Sequence, residues 1–166
     1  MIRIIIGNII ALIASLLMVY YSMLKQKKKI LYFQSVEIVL SITSNIILGG
    51  ISGAIINALS LIRNILCYKE KLGLKEKIVI TILAIVFTFK FNNLSYIGLL
   101  PLISTIVYIW LMNIKNVKGF KLVIAFTMLM WFMYDIVIKS YASAVFDFIN
   151  IVANIVTIFQ INSAKN

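Results

Sequence analysis

The chain has 166 residues, 63% of them hydrophobic, with a mean hydropathy of +1.07, a formal charge of +11, one proline, one cysteine and no histidine. No soluble domain of this length can bury so much apolar surface, so an integral membrane protein is implied; the lack of alternating ten-residue polar and apolar segments selects a helical bundle over a barrel. Without histidine, and with Cys67 as the only thiol, the common zinc sites, a Ser-His or Cys-His nucleophile and an intrachain disulfide are excluded.

The first apolar run, about residues 4–24, begins almost at the start methionine and reads as a true helix, not a cleaved signal. Gly7-Asn8 within it is a weak polar signal for a pathway face. The Lys25–Lys29 loop, KQKKK, follows as a topology signal, with anionic-lipid contact as a secondary effect. A second run, 30–48, carries Glu37, Ser41 and Asn45, and Gly49-Gly50 then leaves room only for a tight helical hairpin. In the third run, 51–68, Gly53, Asn57, Ser60 and Asn64 recur at spacings of four, three and four and so share one helix face, with Arg63 beside them. The most polar segment, Lys69–Lys77, closes this unit.

The fourth run, 78–89, covers twelve positions, short of the roughly 17–25 that a span needs. The fifth, 96–114, holds Pro101 and Trp110, and the sixth, 120–138, holds Trp131 and Asp135. In the seventh, 142–162, Ser143, Asp147, Asn150 and Asn154 repeat the spacing of four, three and four. Trp110, near a helix end, reads as an interfacial anchor; so do most of the eight tyrosines, including Tyr20, Tyr21, Tyr32 and Tyr68. The loop lysines are ordinary topological charge, and nucleic-acid binding is not expected.

Residues 45–64 have an echo ninety positions on. Without a gap, Asn45 falls on Asp135, Asn57 on Asp147, Ser60 on Asn150 and Asn64 on Asn154. Amides and carboxylates at membrane depth are costly, so their coincidence points to an internal duplication. The units are 1–68, a loop and linker helix at 69–92, and 93–162. If the fourth run crosses, the two copies are parallel; if not, they are inverted. Lysine placement decides. Seven spans put twelve lysines (25, 27, 28, 29, 69, 71, 75, 77, 115, 118, 121 and 165) on one side, against Arg3, Lys90 and Lys139 on the other. Positive loops are cytoplasmic, so the fourth helix crosses, the N-terminus is outside and the C-terminus inside.

This three-plus-one-plus-three plan resembles the SWEET and SemiSWEET sugar transporters and the wider PQ-loop group, which are parallel-repeat proteins. In loop pattern and size it resembles the YgjV-like bacterial inner-membrane proteins. The resemblance implies two three-helix bundles joined by an inverting fourth helix, in a bacterial inner membrane. In SWEETs, asparagines on the third and seventh helices line the sugar pocket, and Asn57 and Asp147 hold those places. A residue pair on the second and sixth helices completes that pocket, and Ser41 and Trp131 fall sixteen residues before the two. SWEETs rock on prolines in four helices, whereas only Pro101 is present here, with Ala11 as its repeat partner. Asp147 also departs from the asparagine pattern, which bears on whether the substrate is a neutral sugar.

Two polar stripes related by a pseudo-twofold would line an axial cavity, although small and amide residues also hold membrane helices together. For Asn64 and Asn154, nearer the cytoplasmic ends, packing and pathway roles stay open. The function expected is a transporter or facilitator of a small polar solute, with a non-transporting scaffold or assembly subunit as the alternative. Asp135 and Asp147 invite comparison with aspartyl intramembrane proteases, but the Gly-x-Gly-Asp signature is missing, so an enzyme is not expected and neither is a cofactor. The partners are the bilayer and the solute, with homo-oligomerisation left open. Glu37 and Arg63 lie at depths agreeing within roughly 5 Å on neighbouring helices, which predicts a salt bridge, read first as a structural pairing and alternatively as a one-sided inner gate. The pocket is expected between Asn57 and Asp147, with Ser41, Ser60, Trp131 and Asn150 nearby.

Overall fold

The computed structural model describes residues 1–22, 27–111 and 117–163, which form seven α-helices and no strand. They are α1 (Ile2–Ser22), α2 (Lys27–Leu48), α3 (Ile51–Tyr68), α4 (Leu74–Phe91), α5 (Leu100–Leu111), α6 (Val117–Val137) and α7 (Tyr141–Ser163), with a 3-10 turn, Ile97–Leu99, leading into α5. Lys25, Lys115 and Lys165, three of the charges behind the orientation argument, lie outside the described residues. Among the described residues, α1, α2 and α3 contain spans long and apolar enough to cross a membrane. The outward face is apolar, as lipid contact requires: Ile5, Ile9, Leu12 and Leu16 are exposed along one stripe of α1.

The short fourth run grows into an 18-residue helix, about 27 Å long at 1.5 Å per residue. Lys75, Glu76 and Lys77 belong to its first turn and Lys90 to its last, so counting apolar residues alone underestimates it. Glu76 Oε2 accepts a 2.9 Å hydrogen bond from the Gly73 N–H, giving the helix start a local partner.

The packing order is a ring. α1 packs on α2, α2 on α3, α3 on α5, α5 on α6, α6 on α7, and α7 back on α1. In a ring of six this sets α1 across from α5, α2 across from α6 and α3 across from α7. α4 stands outside, on α3 and α5, where its Ile80 and Ala84 pack with Ile56, Leu59, Leu102 and Ile109 in the main apolar core.

The two hairpin turns have the same backbone bonds. The Gly50 N–H donates to Asn45 O at 2.8 Å and the Gly49 N–H to Ile46 O at 3.2 Å; ninety residues on, Ser140 donates to Asp135 O at 2.8 Å and Lys139 to Ile136 O at 3.1 Å. This six-to-one and five-to-two pairing ends a helix only if the residue between is left-handed. Gly49 has φ +88°, and Lys139 takes φ +63° in the equivalent place.

Each turn is held from a distant part of the chain. Asn8 on α1 donates through Nδ2 to Lys139 O at 2.8 Å and accepts at Oδ1 from the Ala142 N–H at 3.0 Å. Asn93, before α5, donates to Gly49 O at 2.8 Å, and Arg3 Nε bonds Ile47 O. Asn8 therefore clasps the α6–α7 turn and does not face a pathway; the start of α7 offers unpaired N–H groups that a nearby amide can satisfy. Tyr134 departs from the belt expected of the tyrosines. It is fully buried, and its hydroxyl accepts from the Gly53 N–H at 2.8 Å, capping α3 from α6. A side chain at Gly53 would put Cβ 2.6 Å from Tyr134 Cε1.

Gly53→Ala should therefore destabilise the fold by about 1–3 kcal/mol through overpacking against Tyr134. Fluorescence-monitored thermal denaturation in detergent should show a lowered midpoint for Gly53→Ala and an unchanged one for Ala58→Leu on the exposed side of α3. Equal midpoints for Gly53→Ala and the parent would contradict this packing.

Candidate functional site

The ring encloses a cavity of about 520 Å³, within the roughly 300–1,000 Å³ typical of small-molecule sites. All six ring helices line it and α4 does not. The lining extends from Asn45, Asp135 and Ser143, near the hairpin turns, to Tyr21, Gln34 and Lys121, toward the opposite end. Asp147 stands six residues past Tyr141 and Asn57 six past Ile51, so each lies about 9 Å down its helix from the turn end.

The repeat reappears in the lining. Nine pairs of cavity residues stand ninety positions apart, among them Ser15 with Thr105, Glu37 with Thr127, Ser41 with Trp131, Asn45 with Asp135, Asn57 with Asp147, and Ser60 with Asn150. Opposite helices thus present matched positions to one space. The pocket residues expected from the sequence, Asn57, Asp147, Ser41, Trp131, Ser60 and Asn150, all line this cavity.

Other placements differ from expectation. Glu37 and Arg63 face the same cavity, but among the described residues no ion pair joins them within 4.0 Å. Ser41 Oγ donates to Glu37 Oε1 at 2.8 Å, four residues along the same helix. Arg63 donates from Nη2 to Asn64 Oδ1 at 3.1 Å and lies over the Tyr108 ring at 5.1 Å, a cation–π contact. These local partners hold the two charges apart. Asn154 lines the cavity, whereas Asn64 is buried beside Arg63. Pro101 is buried in the first turn of α5, directly after the 3-10 turn, where a missing N–H does not break a helix interior. Trp110 is part-exposed near the end of α5, and its Nε1 donates to Thr81 Oγ1 of α4 at 3.2 Å.

The largest revision concerns Asp135. It is absent from the expected pocket, yet it lines the same cavity as Asp147, and the two are 5% and 7% exposed and bring their carboxyl groups within hydrogen-bonding reach. Asp147 Oδ2 has no donor among the described residues. Beside them Trp131 packs edge-on against Tyr134, with ring centroids 5.8 Å apart. Sequence reasoning also passed over Ser15, Thr105, Thr127, Tyr21 and Tyr108 as lining residues. The signal that could have found the hydroxyls is the same ninety-residue offset, which pairs Ser15 with Thr105 and Glu37 with Thr127. Among the described residues, no group of three His, Cys, Asp or Glu side chains could hold a metal ion.

The chain belongs to the Imp-YgjV family of bacterial inner membrane proteins, whose profile matches residues 5–165. No curated protein and no solved structure matches it.

A polar cavity of this size should be wet, and thiols react as thiolates, which form only where water reaches. On a Cys67→Ser background, single cysteines at Ser41, Ser60 and Asn150 should react with a small water-soluble methanethiosulfonate. Cysteines at Ile62 and Val145, which face outward, should not. Equal reactivity at both sets would mean that the lining is dry or misassigned.

Proposed function

We propose that this inner-membrane protein is a transporter or facilitator of the SWEET-like type, carrying a sugar or another small polar metabolite held between α3 and α7 at the level of Asn57 and Asp147. The observation that carries this reading is the cavity lined by nine residue pairs ninety positions apart, of which five (15/105, 37/127, 45/135, 57/147 and 60/150) are polar at both positions. A scaffold needs packed helices, and it has no use for matched polar groups facing a common void.

Residues 1–68 and 93–162 are then parallel three-helix bundles, and the 69–92 segment with α4 is the inverting link. The repeated hairpin bonds and the ring order, which sets equivalent helices opposite one another, support this arrangement. The lysine distribution supports an outer N-terminus and a cytoplasmic C-terminus. The hairpin-turn end is then the outer end.

In this reading Asn57 offers both a donor and an acceptor to solute hydroxyls, and Ser41, Ser60 and Asn150 add more. Trp131 provides an apolar face of the kind on which a sugar ring stacks. Glu37 and Arg63, deeper by about one and a half turns, form the inner gate. Held apart in this conformation, they would meet when the cytoplasmic half closes. Pro101 is the one hinge candidate. No catalytic role is proposed.

Solute uptake into proteoliposomes from a metabolite mixture tests the reading. Asn57→Ala and Asp147→Ala should cut the initial rate by about tenfold or more, the loss of roughly 1.4 kcal/mol of solute binding. Asp147→Asn separates two mechanisms, since a simple facilitator keeps uptake while a carrier that needs the acid loses it. If the intact protein accumulates nothing, the scaffold reading replaces this one.

Topology gives a separate check. A cysteine at Lys139, on the Cys67→Ser background, should react with an impermeant reagent added outside. Labelling only from the cytoplasm would overturn the parallel-bundle arrangement.

A further inference from the structure

We propose that Asp135 and Asp147 together form a proton-binding site that opens on the central cavity and couples solute movement to a proton. The coupling rests on the transport reading above; the site itself stands on its geometry. Both acids are almost wholly buried, on the two helices of one hairpin, with their carboxyl groups within hydrogen-bonding reach. Two carboxylates in such contact repel, and one proton between them replaces repulsion by a hydrogen bond. Asp147 lines the cavity, and its buried Oδ2 finds no donor among the described residues, an acceptor that a bound proton would satisfy.

The neighbouring charges leave the pair without a fixed cation. Facing the cavity are Tyr21 from α1, Glu37 from α2, Arg63 from α3, Tyr108 from α5, and Lys121 from α6, while Tyr134 packs behind on α6. Arg63 is held by Asn64 and Tyr108. Lys121 is fourteen residues from Asp135 on the same helix, about 21 Å away. Glu37, a further carboxyl on the cavity, supplies no cation either.

The repeat sharpens the point. The equivalents of Asp135 and Asp147 are Asn45 and Asn57, which line the other side of the same cavity. Amides bind a solute without exchanging a proton. At these two positions only the second copy carries acids, which can load and release one.

Infrared spectroscopy of the protein in bilayers, titrated in pH, reads the site directly. A protonated-carboxyl band should persist at neutral pH in the intact protein and be lost in both Asp135→Asn and Asp147→Asn. Carbodiimide labelling of the unmutated protein provides a readout independent of any variant's folding, and the label should fall on this pair and decline as pH rises. A band that neither substitution alters, or labelling confined to other acids, overturns the site. Abolition of the band by sodium or potassium at constant pH would mark a metal-cation site and would also overturn it. In uptake assays, an imposed inward proton gradient should raise the rate severalfold in the parent and not in Asp135→Asn. Uptake indifferent to the gradient, with the band present, overturns the coupling and leaves the transport reading standing. Absence of any uptake removes that reading and the coupling with it, while the spectra still decide whether the acids share a proton.

Discussion

Inside a bilayer no water meets an exposed amide or carboxyl, so a polar side chain at depth must turn toward protein or toward a cavity that holds water. That constraint organises this chain. Ile, Leu, Val and Phe cover the outside, and the asparagines, aspartates and hydroxyls of six helices converge on one interior space. The apolar core lies to one side, where α4 seats against α3 and α5. A fold of this kind is packed at its flank and open at its centre, the reverse of a soluble bundle. Since lipid offers no hydrophobic drive for helix association, the contacts that close the ring carry unusual weight.

Several of those contacts are polar clasps at the hairpin-turn end. Asn8 holds the α6–α7 turn and Asn93 holds the α2–α3 turn, each reaching from the first helix region of the other unit. Tyr134 reaches from α6 to the start of α3. Every one of these satisfies backbone groups that helix ends leave unpaired. They tie the two halves together at the hairpin-turn end, and toward the other end Arg63 of α3 lies over the Tyr108 ring of α5.

Much of this was legible in the sequence, and the failures have physical causes. Asn57 and Asp147 stood out because amides and acids are expensive in lipid and because their spacing repeats. Asp135 stands outside the expected pocket because a position near a helix end gives no sign of burial, but that end is covered: Ile138 and Ser140 are buried with it, and Asn8 seals the turn. The length of α4 was hidden by charges folded into its first turn. Hydroxyl residues were silent for another reason. Ser and Thr can satisfy themselves on the carbonyl four residues back, as Ser35, Thr43 and Thr81 do, so their presence in a membrane helix says little about what they face. Glu37 and Arg63 face one cavity without pairing because each has a nearer partner, Ser41 for Glu37 and Asn64 with Tyr108 for Arg63.

The central claim is that a small polar solute binds in the cavity between Asn57 and Asp147. A thermal-shift screen of small polar metabolites against the purified protein tests it most directly, because a ligand that binds only the folded state raises the midpoint with concentration. At least one solute should stabilise the parent protein in a saturable way, and Asn57→Ala should need about tenfold more of it or higher for the same shift. A shift that persists unchanged in Asn57→Ala and Asp147→Ala, or a full screen without any saturable shift, would contradict it.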